Sequence, residues 1–152
     1  MSLSSVKDLL SKIRRGDMVI LVDDDERSSS AGVVMVSAEH VDASHVNFMA
    51  RQAHGLICLA LPRERCEQLN LVNMVPGGSD NKPNFTVSIE AAKGIDTGIS
   101  AADRALTIRT AVDPSASPGD IVQPGHVFPL MVAPGGVLIR AGLTEAASDY
   151  AG

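Results

Sequence analysis

The chain has 152 residues, 45% hydrophobic and 20% charged, enough to bury the core of one domain. Aromatic residues make up only 3% and Trp is absent, so that core must be aliphatic, built from Val, Ile, Leu, Ala and Met. The net charge of -5 argues against a nucleic-acid partner, which needs a basic face. Cys58 and Cys66 form no CxxC pair, so reduced thiols are expected and not a zinc site. No run approaches the roughly 18 apolar residues of a membrane span, and no signal-peptide pattern opens the chain. A cytoplasmic protein without a membrane partner is expected.

The elements then follow in order. Val6, Leu9, Leu10 and Ile13 fall at i, i+3, i+4 and i+7, predicting an amphipathic helix capped by Ser5 and ended by Gly16. The continuous apolar run 18–22 predicts a buried strand. An acidic stretch, Asp23-Asp24-Asp25-Glu26-Arg27, leaves that strand, and a Ser-rich loop follows it. A second strand is predicted over 33–36. Asp42 can cap a helix over 43–53 with Val46, Met49, Ala50 and Ala53 on one face. Residues 56–60 read as a third buried strand, and Pro62 starts a short helix toward Leu69.

Positions 70–84 are polar and broken by Pro and Gly, which predicts a long loop. Phe85, Val87 and Ile89 alternate with Thr86, Ser88 and Glu90, which predicts a strand exposed on its polar face. Ser100 and Asp103 suggest a capping box for a helix over 101–112. Asp113-Pro114 and Ser117-Pro118-Gly119 are turn sequences. Strands are predicted over 128–132 and 137–139, joined by Pro134-Gly135-Gly136. Thr144 can cap a last short helix. Interleaved strands and helices make the class α/β or α+β in a single domain over 1–152, with no P-loop and no GxGxxG fingerprint.

Chemistry concentrates in a few stretches. Pro124-Gly125-His126 can present an imidazole at the edge of a strand beginning near Val127. Taken alone, that histidine is more simply a turn residue satisfying local hydrogen bonds. Its company changes the balance: the acidic stretch after the first strand, and Arg140-Ala141-Gly142-Leu143-Thr144-Glu145 after the double glycine.

These stretches occur in the order of a known family. Val22-Asp23-Asp24 with Arg27, Asn47-Phe48-Met49-Ala50-Arg51, Gly55-Leu56-Ile57-Cys58, Phe85-Thr86-Val87-Ser88-Ile89, Thr97-Gly98-Ile99-Ser100-Ala101-Ala102-Asp103-Arg104, Pro124-Gly125-His126-Val127-Phe128-Pro129-Leu130 and Gly135-Gly136-Val137-Leu138 with Thr144-Glu145-Ala146 run over nearly the whole chain. The chain resembles 3,4-dihydroxy-2-butanone 4-phosphate synthase of riboflavin biosynthesis. The resemblance implies an α/β sandwich, a homodimer with active sites at the subunit interface, and a magnesium-dependent lyase, with manganese as an alternative ion. Its substrate would be ribulose 5-phosphate, a small phosphorylated sugar. Its products would be 3,4-dihydroxy-2-butanone 4-phosphate and formate.

By the same resemblance, His126 helps hold the metal; Asp25 or Glu26 could substitute for the loop carboxylates that the chain lacks. Arg27, Asp24, Cys58 and Glu145 are implied in catalysis. Arg140, Gly142 and Thr144 would bind the phosphate, and Thr97 and Asp103 would face the sugar. For Asp103 a helix-capping role has equal standing. For Arg51 and Arg104 a solvated surface position is the simpler assignment.

The chain departs from the family pattern at Ser28 and Ser30, where carboxylates are usual, and at Val33. Gln123 stands for an arginine and Leu143 for a histidine, and the family domain usually continues beyond position 152. Two alternatives therefore stand beside the family enzyme. One is a non-catalytic paralogue serving as a binding or regulatory protein. The other is a related lyase on another sugar phosphate.

Overall fold

The structure is a computed structural model that describes residues 3–23, 32–75 and 84–151. Asp24, Asp25, Glu26 and Arg27 of the acidic stretch and the serines Ser28 and Ser30 lie outside them, as does most of the predicted 70–84 loop.

The first helix, α1 (Val6–Arg14), is capped by Ser5, whose hydroxyl accepts from the Asp8 N–H at 3.2 Å. Of its apolar stripe only Ile13 is buried, and Val6 stays exposed. Strands β1 (Val19–Val22) and β2 (Gly32–Met35) pair antiparallel, from Val19 opposite Met35 to Val22 opposite Gly32. Helices cover one face of this pair only. Val19 and Leu21 are therefore buried while Ile20 and Val22 are exposed, which corrects the expectation of a strand buried on both faces. Ile13, Val19, Leu21 and Met35 form a small core of their own, closed by residues of the last helix.

Helix α2 (Ala43–Phe48) runs into a π-helical turn, Met49–Ala53, that ends at His54 in the left-handed conformation. Its start is a full capping box. The Asp42 carboxylate accepts from the N–H groups of Ser44 (2.8 Å) and His45 (3.0 Å), and the Asp42 N–H donates to His45 Nδ1. Strand β3 (Cys58–Leu61) leads into α3 (Arg63–Gln68), with Pro62 at the cap. After β4 (Ile89–Ala91) comes α4 (Ala101–Val112), capped by the Ser100 hydroxyl. Arg65 ties α3 to the end of α4, donating from Nε to the Ala111 carbonyl at 2.8 Å.

Strand β5 (Ile121–Met131) is the spine of the molecule. It lies between β3, parallel to it, and β4, antiparallel, in the order β3-β5-β4. Val127, Pro129 and Met131 point into the main core with Val46, Leu59, Leu69, Ile89 and Ile108. The sheet is mixed and helices flank it, as the class assignment expects. The predicted strand at 137–139 is instead a 3-10 turn, Gly136–Leu138. Gly135 and Gly136 both take positive φ (90° and 57°), which reverses the chain. The turn is then held by Asp149 of α5 (Leu143–Ala151), whose carboxylate accepts from the Val137 N–H at 2.9 Å.

Candidate active site

His126 sits on an excursion from the sheet. Ile89 pairs with Val127, but the next residue, Glu90, pairs with Val122, so positions 123–126 have no partner on β4. Such a bulge turns a side chain out of the ladder. Pro124-Gly125 therefore makes no free turn ahead of a strand, as the sequence suggests, but a bulge inside a longer one, with a cis peptide between Gln123 and Pro124. Gly125 is wedged against β4, and its N–H donates to the Ser88 hydroxyl at 3.1 Å. A Cβ at Gly125 would lie 2.2 Å from the backbone carbonyl of Ile89.

The imidazole meets a residue that sequence inspection missed. His126 Nδ1 is hydrogen-bonded to the Glu90 carboxylate. Alternation placed Glu90 on the solvent face of its strand, yet its side chain is only 17% exposed, against 43% for His126. Gly98 closes over the carboxylate, where a Cβ would fall 1.8 Å from Glu90 Oε1. The available signal was the pair of glycines, Gly98 and Gly125, each needed where another group comes too close for a side chain.

Asp103 organises the loop above. Its carboxylate accepts from the Gly98 N–H at 3.1 Å and from the Asp96 N–H at 3.5 Å, and its own N–H donates to the Ser100 hydroxyl. The predicted capping box is thus half-formed: Ser100 caps the helix, while the Asp103 side chain turns to the 96–98 backbone. Asp103 is buried and spent on this loop, whereas Thr97, between the two bonded residues, is exposed. Arg104 is partly buried, and its Nε has no hydrogen-bond partner among the described residues. Arg51 is exposed as expected.

A second cluster lies beyond the other end of β5. Glu145, in the first turn of α5, is 1% exposed. Its Oε1 accepts from the Ala133 N–H at 3.3 Å and lies 3.6 Å from Arg140 Nη1. Its Oε2 is buried without a partner among the described residues. Gly142 makes room for that oxygen, because a Cβ there would stand 2.4 Å from it. The Gly142 N–H donates to the Arg140 carbonyl at 2.8 Å, so it is committed within the turn and not presented to an anion. Thr144 faces a different space, a cleft of about 620 Å³ whose walls include Cys58, Ala60, Leu130 and Leu143. That cleft is mostly aliphatic, and His126, Glu90, Arg140 and Glu145 do not line it. A sugar phosphate needs charge and hydrogen bonds, so the polar clusters are the better candidate site.

Cys58 lies on β3 opposite Phe128, and its thiol is directed at the Leu56 carbonyl at 3.7 Å. Desolvation by its neighbours raises the thiol pKa, which keeps it protonated and a poor nucleophile. Cys66 is fully buried and pushed up to about 11 by the same effect.

The structure thus unites His126 with the Thr97–Asp103 loop through Glu90 and Gly98, and Arg140 with Gly142 and Glu145. It does not join these two groups within one chain. Positions 126 and 133 are separated along the chain by about 23 Å at ~3.3 Å per residue. Among the described residues, no three His, Cys, Asp or Glu side chains come together as a metal-binding group. Nor is any described helix long and apolar enough to cross a membrane.

Comparison with known proteins gives one consistent result. The family model described as 3,4-dihydroxy-2-butanone 4-phosphate synthase matches residues 7–152. A relative of that name from Pseudomonas aeruginosa is 52% identical over 152 residues, covering 99% of this chain and 41% of its own. The crystal structure of RibBX, a two-domain 3,4-dihydroxy-2-butanone 4-phosphate synthase from A. baumannii, superposes with a TM-score of 0.91 at 52% identity, over 97% of this chain and 44% of that one. A 3,4-dihydroxy-2-butanone 4-phosphate synthase in complex with two magnesium ions matches with a TM-score of 0.91 at 37% identity, over 97% of this chain and 69% of that one. The chain spans about 41% of the length of the first of these relatives.

Proposed function

The chain belongs to the 3,4-dihydroxy-2-butanone 4-phosphate synthase family, and from that premise we propose that it acts on D-ribulose 5-phosphate in riboflavin biosynthesis. The reaction would enolise the sugar, rearrange its carbon skeleton and release formate, leaving 3,4-dihydroxy-2-butanone 4-phosphate. This makes the chain a carbon–carbon lyase, and we assign it to the cytoplasm as one domain over 1–152.

The observation that carries the proposal is Glu145. A carboxylate 1% exposed, with one oxygen lacking any partner among the described residues, is costly unless something else uses it. A substrate hydroxyl or a transferred proton would satisfy that oxygen. Arg140 lies 3.6 Å from the other oxygen and offers its remaining N–H groups to a phosphate.

Magnesium fits this donor set in part. His126 offers one ring nitrogen, since Nδ1 is already bonded to Glu90. The hard oxygen ligands this ion prefers would come from Glu26 or Asp25 and from water. When bound, the ion would supply charge stabilisation for an enediolate. Arg27 keeps the catalytic role the resemblance gives it, and Thr97 is exposed for a sugar contact. The two clusters, one at the bulge of β5 and one beyond its end, lie about 23 Å apart along the chain. A homodimer that brings His126 of one copy toward Glu145 of the other would complete a single site, and we propose that assembly.

The test is formate release from ribulose 5-phosphate by the purified chain, with magnesium and then with a chelator. Chelator-sensitive formate is expected. Absence of formate at every magnesium concentration would overturn the proposal.

A further inference from the structure

We infer that Glu90 is the positioning residue of His126, holding the ring so that Nδ1 carries the proton and Nε2 faces outward with its lone pair. The inference rests on the proposed function only in treating His126 as part of the reaction site.

The geometry begins with a carboxylate in the wrong place for its strand. Phe85, Val87 and Ile89 should turn inward and Glu90 outward, yet Glu90 is mostly covered. Three groups cover it. Gly98 stands over the carboxylate, with a positive φ of 78° and no space for a Cβ, which would come 1.8 Å from Oε1 and 2.4 Å from Cδ. Gly125 presses on the stem, where a Cβ would lie 2.4 Å from Cγ. His126 supplies the hydrogen bond.

The two glycines are themselves fixed from behind. Asp103 accepts the Gly98 N–H, and Ser88, a buried hydroxyl, accepts the Gly125 N–H. One loop and one bulge therefore converge on one side chain, and burying a carboxylate is favourable only with its partner in place. Because the carboxylate is an acceptor, the facing ring nitrogen is the donor. That sets the tautomer and leaves Nε2 as the atom able to accept a proton or bind a cation.

The experiment is long-range proton–nitrogen correlation NMR on protein labelled with 15N-histidine, at a pH of about 8.5 where ordinary imidazole is neutral. The chain has four histidines, and His126 is assigned by its disappearance in His126→Gln. In the parent, His126 should show the Nδ1–H tautomer. In Glu90→Leu it should revert to the Nε2–H form preferred by unconstrained imidazole. The kcat for formate should drop about 10- to 100-fold with KM moving less than about threefold. Gly98→Ala, which displaces the carboxylate and leaves it in the chain, should shift the tautomer the same way and serves if Glu90→Leu does not fold. An Nε2–H ring in the parent, or an Nδ1–H ring surviving in both variants, would overturn the inference. So would a kcat that does not change when the tautomer does. If the parent makes no formate, the proposed function fails, and the tautomer alone still decides whether Glu90 positions the ring.

Discussion

Gly125→Ala tests a close approach between two backbones that no side-chain rotation can relieve. The new Cβ would stand 2.2 Å from the carbonyl carbon and oxygen of Ile89 and 2.4 Å from Glu90 Cγ. Carbon atoms rest about 3.5–4.0 Å apart, so the two strands must separate by more than about 1 Å. Two of the three obstructing atoms belong to the β4 backbone, and no rotamer change relieves them. Overpacking of this kind costs about 1–3 kcal/mol, and a backbone obstacle places it near 3. Moving the bulge also breaks the 3.1 Å bond from the Gly125 N–H to Ser88, worth about 1 kcal/mol more. A total near 4 kcal/mol, at about 2–4 °C per kcal/mol for a chain of this size, lowers the Tm by about 8–16 °C. The control is Gly119→Ala, where the nearest atom is Ser117 Oγ at 3.7 Å and the backbone is not in the left-handed region. Its Tm should stay within about 2 °C, with any change upward from reduced freedom of the unfolded chain. Thermal unfolding followed by circular dichroism reads both. A Gly125→Ala protein melting within about 3 °C of the parent would show that the bulge is not wedged against β4, and the account of how His126 is presented would fall with it.

Arg140→Ala should weaken binding of ribulose 5-phosphate by about 10- to 150-fold, the equivalent of one charged hydrogen-bonding partner. Calorimetric titration checks it, and equal affinity would mean that the turn is only structural. Acid stability should follow the caps. The Ser44 hydroxyl, with the backbone N–H of His45, holds the Asp42 carboxyl down at about 2. Asp17, Asp113 and Asp120 are lowered too, beside Arg15, Ser115 and Ser117 respectively. A depressed folded pKa favours the native state above the ordinary carboxylate value and loses that contribution as the pH falls through the folded value. Urea midpoints should therefore hold steady down to a pH of about 4 and decline from there toward 2. Asp42→Asn, which caps without titrating, should flatten part of that decline. Parallel curves for the two proteins would remove Asp42 as a cause.

Helices were legible because their signals are local. The stripe at Val6, Leu9, Leu10 and Ile13, the caps Ser5, Asp42 and Ser100, and the stop at Gly16 each act within a turn or two of chain. Strand environment was not local. An apolar run such as Val19-Ile20-Leu21-Val22 reads as buried on both faces, and only the two-stranded pairing leaves Ile20 and Val22 exposed. The alternation at 85–90 holds for Ile89, which is buried as expected, but fails at Thr86 and Ser88, which are buried too. Ser88 is tolerated inside because it accepts the Gly125 N–H, and Thr86 because its hydroxyl donates to the Val87 carbonyl. Thr107 of α4 does the same for β4, accepting the Ala91 N–H at 3.0 Å. Glu90 was missed for this reason: once the polar residues of a strand point inward, periodicity no longer says which carboxylate is solvated. His126, Arg140 and Glu145 stood out by resemblance, but their separation along β5 appears only in three dimensions.

The positions that depart from the family pattern gain meaning from their surroundings. Gln123, where the family has an arginine, donates its amide to the Asn70 carbonyl at 3.2 Å and so braces the bulge. Leu143, where the family has a histidine, packs against the small core of Ile13, Val19, Leu21 and Met35 and lines the apolar cleft. Both side chains are thus employed in holding the fold. His126, Glu145 and Gly142, by contrast, occupy places with no structural surplus: an imidazole pinned by a covered carboxylate, a buried acid with an idle oxygen, a glycine that leaves space for it. Such features cost stability and are retained where chemistry uses them. With Gln123 neutral and Leu143 apolar, the positive charge for an anionic substrate in the described part of this cluster rests on Arg140. Replacing that one residue should therefore weaken substrate binding more here than in a relative that keeps the arginine at the Gln123 position.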